Sequence, residues 1–189
     1  MKLFTMIALL LLIFATSNCA LIGLEEEEED TTSTANTGSI SDLQGTWIID
    51  CEEPSEGSQY AKHSIQFSET GYVTESIYHS DSSCTLPLYA GSITYTNLTV
   101  GIWWDNLGYE FKGSVQSYNQ TPKNDTWTSY YNNYASFGCG LTNWQTDVPQ
   151  DIIGLSCTNI ERNRVITNWY KITGNNLVLG NDGRTYTKQ

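Results

Sequence analysis

The sequence feature that most constrains the fold is a two-residue alternation of side chains, which recurs in short runs. Between residues 109 and 116, for example, Tyr109, Phe111 and Val115 alternate with charged or polar residues. Successive side chains of a β-strand point to opposite faces, so this period predicts strands that turn one face toward a core. Runs with this period cover residues 64–67, 72–78, 109–116, 165–172, 177–179 and 185–187.

Residues that favour tight turns separate these runs. Glycine occurs in each of the segments 69–71, 106–108, 174–176 and 181–183, and it tolerates the positive φ that tight turns need. The 3.6-residue apolar repeat of a helix is missing, and only residues 147–155 predict a helical turn. The pattern predicts an all-β domain of about eight to ten strands, either an antiparallel up-and-down β-barrel or a β-sandwich.

The N-terminus predicts export. Lys2 precedes an apolar run over residues 6–15, which is the layout of a secretory signal and is short for a membrane span. The following Thr16, Ser17, Asn18 and Cys19 resemble the cleavage site of bacterial lipoproteins, although Thr16 and Asn18 depart from its usual residues. The resemblance implies cleavage before Cys19 and attachment of fatty acyl chains such as palmitate to that cysteine. The alternative is an ordinary signal that a cysteine happens to follow.

An acidic segment separates this cysteine from the predicted strands. Residues 25–30 are all acidic and residues 31–39 are mainly Thr, Ser, Gly and Asn, so the segment cannot bury enough apolar surface to fold. We expect a signal peptide at 1–18, a lipidated cysteine and disordered acidic tether at 19–39, and one domain at 40–189. Ala20 follows the cysteine, which by resemblance to bacterial sorting rules favours the outer membrane.

The charge of the chain argues against nucleic acid and anionic lipid as partners. The sequence has 21 acids and 9 bases, with a net charge of −12. Without the six tether acids and Lys2, the domain keeps 15 acids and 8 bases, net −7. An acidic domain with scattered bases is repelled by both polyanions, so we expect the lipid alone to hold the protein at the membrane.

The cysteine count agrees with an exported chain. Besides Cys19, the sequence contains Cys51, Cys84, Cys139 and Cys157, an even set that suits disulfides in an oxidising compartment. Sequential pairing, Cys51 with Cys84 and Cys139 with Cys157, closes two moderate loops and is the pairing that we favour. A crossed pairing stays open, because the first and last strands of a barrel meet.

One local motif favours the barrel over the sandwich. Gly45-Thr46-Trp47 opens the first predicted strand and resembles the Gly-x-Trp motif near the start of lipocalins and related calycins, which are eight-stranded antiparallel barrels. The resemblance implies that Trp47 plugs the closed end of the barrel and that a basic residue late in the chain packs across it, Arg164 or Arg184. It also implies a cavity for a small hydrophobic ligand.

The sequence lacks the common motifs of catalysis and metal binding. Its two histidines, His63 and His79, stand in no zinc-binding pattern, and no phosphate-binding loop or nucleophile-elbow motif occurs. We therefore predict no enzyme activity, no metal and no cofactor.

Aromatic residues are unusually dense in one half of the chain. They provide either core packing or a contact surface, and neighbouring Trp103 and Trp104 cannot both face the core of a strand. The candidates for ligand or partner contact are Trp103, Trp104, Trp127, Tyr130 and Trp144. Trp103 or Trp104 is expected at the open end of the barrel.

Two functions follow from these features. The first is an envelope or surface-exposed lipoprotein whose barrel binds a small hydrophobic ligand or lipid. The second is a surface interaction protein, an inhibitor or adhesin-like domain that binds a protein partner through aromatic-rich loops. An open cavity in the barrel favours the first.

Overall fold

The computed structural model describes residues 37–53, 59–180 and 183–189. The predicted signal peptide, Cys19 and most of the tether lie outside these residues, as does most of the predicted turn at 181–183. The elements are α1 (Ile40–Leu43), β1 (Gly45–Glu52), β2 (Tyr60–Phe67), β3 (Gly71–His79), β4 (Pro87–Trp104), β5 (Gly108–Pro122), α2 (Asp125–Asn133), β6 (Gln150–Asp151), β7 (Val165–Thr173), β8 (Asn176–Leu179) and β9 (Thr185–Lys188).

Eight of the strands form a closed antiparallel β-barrel. Strands β1 to β5 pair in sequence, β5 pairs with β7, and β7, β8 and β9 continue the meander. The ring closes where Trp47 and Ile48 of β1 oppose Lys188 and Thr187 of β9. The two-residue β6 pairs with β5 outside this ring. The predicted lipocalin-like barrel is thus confirmed, and the alternative β-sandwich is wrong.

The alternation predicted from the sequence determines the core. In β2, Ala61, Ile65 and Phe67 are buried, whereas Gln66 between them is exposed. Closing a sheet into a barrel places every second residue inside, and each buried side chain of this size contributes roughly 1.5 to 3 kcal/mol. The main core cluster lies toward one end of the barrel. Its members are Leu43, Trp47, Ile65, Phe67, Tyr72, Leu98, Phe111, Tyr170, Leu177, Leu179 and Tyr186.

Trp47 plugs this end of the barrel. Its side chain is fully buried, and its indole Nε1 donates a hydrogen bond of 2.7 Å to the carbonyl oxygen of Leu43 in α1. The basic residue across the ring is Lys188, whose Nζ lies 5.0 Å from the ring centroid. The expectation of Arg164 or Arg184 in this place is wrong. Lys188 lies directly opposite Trp47 in the β1–β9 ladder, whereas Arg184 lies 3.4 Å from Glu52.

The second helix was not predicted. Asn124 caps α2 by accepting a hydrogen bond of 2.9 Å from the backbone N–H of Trp127, which satisfies a helix-terminal donor. The aromatic residues of α2 have weak helix propensity, so tertiary packing stabilises the helix. The helical turn expected at 147–155 is also wrong, because this segment contains β6 and turns.

The four domain cysteines form the two sequential disulfides, Cys51–Cys84 and Cys139–Cys157, as predicted. The first links the end of β1 to the loop after β3. The second joins two loops that follow α2 and β6.

Reduction of these disulfides is expected to lower the free energy of unfolding markedly. In the chain-entropy model, loops of 33 and 18 residues predict about 3 to 4 kcal/mol for each bond. Denaturant unfolding of the Cys51→Ser/Cys84→Ser and Cys139→Ser/Cys157→Ser double variants, compared with wild type, measures each bond. Non-reducing peptide mapping is the control, and a peptide joining Cys51 to Cys139 would contradict the assignment.

Candidate functional site

The interior of the barrel at the end away from Trp47 holds an open chamber of about 290 Å³. It lies among the inward-facing residues of three neighbouring strands, β3, β4 and β5. Most of its lining side chains carry a hydroxyl or amide group, in contrast to the apolar core at the plugged end. The lining residues are Thr74, Ser76, Tyr78, Tyr89, Gly91, Ile93, Tyr118 and Gln120.

Strand register explains why this end is open. Ser76 of β3 lies opposite Gly91 of β4, which in turn lies opposite Gln120 of β5. Gly91 contributes no side chain, and a Cβ built there would be 3.7 Å from the nearest atom, in the ring of Tyr118. Small residues at two adjacent positions therefore leave a space where larger side chains would fill the barrel.

Tyrosine rings form one wall of the chamber. Tyr78 and Tyr89 stack with their ring centroids 4.6 Å apart, and Tyr89 also contacts Trp127 of α2 at 4.5 Å. Burial, together with the neighbouring phenols of Tyr78 and Tyr118, raises the pKa of Tyr89 to about 12. Burial likewise raises the pKa of Tyr118. Tyr89 and Tyr118 therefore stay protonated at neutral pH, and the hydroxyl of Tyr89 donates a hydrogen bond of 3.0 Å to Oε1 of Gln59.

Helix α2 packs beside the chamber through a second hydrophobic cluster. Tyr131 is buried, and its hydroxyl accepts a hydrogen bond of 2.7 Å from the side-chain amide of Gln120 in the chamber wall. Trp144 packs on Tyr131 with centroids 5.0 Å apart, and Cys139 and Ile152 complete the buried cluster. The cluster holds α2 next to the lining residues.

A histidine adds a polar group behind the wall. His63 of β2 is buried, and its Nδ1 lies 2.7 Å from the Oγ of Ser76. Its Nε2 lies 3.0 Å from Oε1 of Glu52, which also lies 3.4 Å from Arg184. In the sequence, His63 belongs to no motif. Its pairing with Ser76 across the β2–β3 ladder depends on strand register, which a single strand does not reveal.

The order Ser76, His63, Glu52 matches that of a nucleophilic triad. Ser76, however, lies in a strand that pairs on both sides, so the backbone amides around it are engaged in the sheet and cannot form an oxyanion hole. The arrangement favours a hydrogen-bonding role, in which His63 orients the hydroxyl of Ser76 at the chamber wall.

The five aromatic candidates for ligand or partner contact lie in different parts of the structure. Trp127 and Tyr130 lie on α2, and Trp127 contacts the chamber residue Tyr89. Trp144 is 3% exposed and donates its Nε1 hydrogen to the carbonyl of Gly138, so its role is packing.

Trp103 and Trp104 lie in the β4–β5 hairpin at the opposite end of β4 from the chamber. Both are exposed, and the expectation that one of them lines the open end is wrong. The alternation within β4 excluded a shared core position, but it could not show which end of the barrel was open.

Among the described residues, no group of three or more His, Cys, Asp or Glu side chains is arranged to hold a metal ion. In the same part of the chain, no helix has the length and apolarity that crossing a bilayer would require. The sequence matches no family model and no curated protein sequence.

Proposed function

We propose that this protein is an envelope lipoprotein whose barrel binds one small ligand in the chamber. The observation that carries this proposal is the interior space of about 290 Å³ beside Tyr89, Ser76 and Gln120. A core that served stability alone would be packed to high density with apolar side chains. Concave sites with a few convergent polar groups are the usual form of small-molecule sites.

Size and polarity narrow the class of ligand. The chamber lies at the lower end of the roughly 300 to 1,000 Å³ of typical ligand sites, so a whole lipid would not fit inside it. Ser76 and Gln120 already bond to His63 and Tyr131, but a bare acyl chain would offer no partner to the hydrogen-bonding capacity that remains on these two side chains, which is costly when they are buried. We therefore favour a small ring compound that carries hydroxyl or amide groups and packs against the tyrosine wall, over the long-chain ligand that the barrel resemblance implied.

Calorimetric titration with two sets of compounds tests this proposal. One set contains monosaccharides and hydroxylated aromatic compounds, and the other contains fatty acids. We expect saturable binding of a member of the first set at a stoichiometry near one, with weaker binding when Ser76→Ala removes the hydroxyl. Saturable binding of fatty acids alone would restore the hydrophobic-ligand proposal, and binding of neither set would contradict a ligand-binding barrel.

The lipid anchor is the second part of the proposal. It is supported by Cys19 after an apolar run and by two disulfides, which suit an oxidising compartment. We expect wild-type protein to incorporate labelled palmitate in a bacterial host and the Cys19→Ser variant to incorporate none. The Cys51→Ser/Cys84→Ser variant is the control and should keep the label. A wild-type intact mass without acyl chains would contradict the anchor.

An exposed aromatic ridge after α2 supports a second candidate, the surface interaction protein. Tyr134 and Phe137 are 55% and 49% exposed, and both rings lie 4.7 Å from that of Tyr130. Exposed aromatic clusters are frequent at protein–protein contacts. Loss of partner binding in the Tyr134→Ser/Phe137→Ser variant, with chamber binding unchanged, would assign this role to the ridge.

A further inference from the structure

The turn that joins β4 to β5 exposes large apolar side chains. Residues 102–107, which we term the tryptophan hairpin, are all exposed. Ile102, Trp103, Trp104 and Leu107 are 45%, 40%, 48% and 39% exposed. Three consecutive exposed apolar residues are unfavourable in water, and such runs usually mark a contact surface.

The tryptophan hairpin is held in a defined conformation. The backbone N–H of Leu107 donates to the carbonyl of Trp104 at 3.1 Å, and Nζ of Lys171 donates to the carbonyl of Asn106 at 2.8 Å. The ring of Trp103 packs edge-on against Tyr109, with centroids 5.0 Å apart. The backbone of the hairpin and the ring of Trp103 are therefore ordered before any surface binds them, so little conformational entropy is lost on binding.

The chain joins the domain beside this hairpin. Thr37 forms a β-bridge with Ile102, and the N–H of Gly38 donates to the carbonyl of Gly101 at 3.1 Å. A Cβ at Gly38 would lie 2.5 Å from the hydroxyl of Tyr170, so glycine permits this close approach. The segment that leads back to Cys19 therefore starts at the tryptophan hairpin.

We propose that the tryptophan hairpin rests in the headgroup region of the bilayer that holds the lipid on Cys19. This inference depends on the proposed anchor. Seventeen residues lie between Cys19 and Thr37 in the sequence, and a random coil of that length would span roughly 25 Å. The hairpin is therefore the part of the domain that lies nearest to the anchor along the chain. Indole rings favour the bilayer interface because they combine an apolar body with a polar N–H.

Charge selects the kind of membrane surface. The acidic residues 25–30 lie between Cys19 and the hairpin, and anionic headgroups would repel them. In the hairpin itself, Asp105 carries one negative charge, and the amino group of Lys171, bonded to the carbonyl of Asn106, adds one positive charge. The surface that fits is therefore a zwitterionic lipid such as phosphatidylcholine or phosphatidylethanolamine.

Quenching of tryptophan emission tests the contact. The full mature lipoprotein is reconstituted into phosphatidylcholine vesicles whose acyl chains carry bromine near the headgroup. Two of the six tryptophans lie in the hairpin, so emission should fall by up to about a third relative to unbrominated vesicles. The Trp103→Phe/Trp104→Phe variant should show no such fall. The Tyr134→Ser/Phe137→Ser variant, which removes exposed rings elsewhere, should be quenched as wild type is.

The outcomes separate the two proposals. Wild-type protein that floats with the vesicles but is not quenched would overturn the hairpin contact and leave the anchor standing. Protein that carries no acyl chain and does not float would overturn both. Equal quenching in wild type and the Trp103→Phe/Trp104→Phe variant would assign the contact to another tryptophan and overturn the inference. Capture of a second copy by the hairpin, seen as dimers in detergent that the double variant lacks, would also overturn it.

Discussion

Replacement of Trp47 by alanine is expected to lower the free energy of unfolding by about 3 to 5 kcal/mol, a large part of a domain's net stability. The side chain is fully buried at the plugged end. The change leaves a cavity there and removes both the 2.7 Å hydrogen bond to Leu43 and the contact of the ring with Lys188. Urea unfolding followed by far-UV circular dichroism measures the loss.

Trp103→Ala is the matched control for this prediction. It makes the same chemical change at a side chain that is 40% exposed, and a partly exposed ring loses less packing and leaves no closed cavity. We expect its unfolding midpoint to lie much nearer to that of wild type. Similar losses for the two variants would contradict the assignment of Trp47 as the barrel plug.

Replacement of Gly91 by valine is expected to weaken ligand binding strongly while the barrel stays folded. The new Cβ meets the ring of Tyr118 at 3.7 Å, which is an ordinary contact. The valine side chain therefore fills part of the chamber without displacing the residues that line it. Adding a few carbon atoms to a site that has no spare room lowers affinity by about tenfold or more. The titration that detects binding to wild type gives the comparison.

Ser92→Val is the matched control for the chamber. Ser92 is the next residue of β4 and faces the outside of the barrel, so valine there should leave affinity unchanged. Thermal unfolding of both variants checks that the barrel persists. Wild-type affinity in Gly91→Val would show that the ligand binds elsewhere.

The barrel could be predicted from the sequence because its determinants are local. Alternation in residues 64–67 and 109–116 marks positions that face inward in β2 and β5, and Gly45-Thr46-Trp47 indicated where the plug lies. The sequential disulfide pairing was the favoured prediction and is confirmed, but the order of the cysteines had left a crossed pairing open.

The chamber and helix α2 depend on contacts between distant parts of the chain. The space at Gly91 exists because β3, β4 and β5 bring residues 76, 91 and 120 side by side, and pairing register is not visible in one strand. Helix α2 is stabilised by the packing of Tyr131 against Trp144, which overrides the weak helix propensity of its sequence. The local signals for it are the capping residue Asn124 and the acid Asp125 in its first turn.

The position of Trp103 and Trp104 illustrates the same limit. The density of aromatic residues in this half of the chain suggested a ligand site at Trp103 or Trp104. A single strand, however, runs from one end of a barrel to the other. Only the closure of β1 on β9 shows which end is plugged. What remains of the prediction is that the two rings do not share a core position, since both are exposed.

Native mass spectrometry of the mature protein, purified from membranes in mild detergent, tests the ligand-binding chamber most directly. We predict one small non-covalent adduct per wild-type chain, either retained from the cell or acquired from the compounds that bind in the titration. The adduct should be much less abundant on Gly91→Val and as abundant on Ser92→Val as on wild type. Wild-type protein that stays free of any adduct after incubation with both sets of compounds, or an adduct as abundant on Gly91→Val as on wild type, would contradict the ligand-binding chamber.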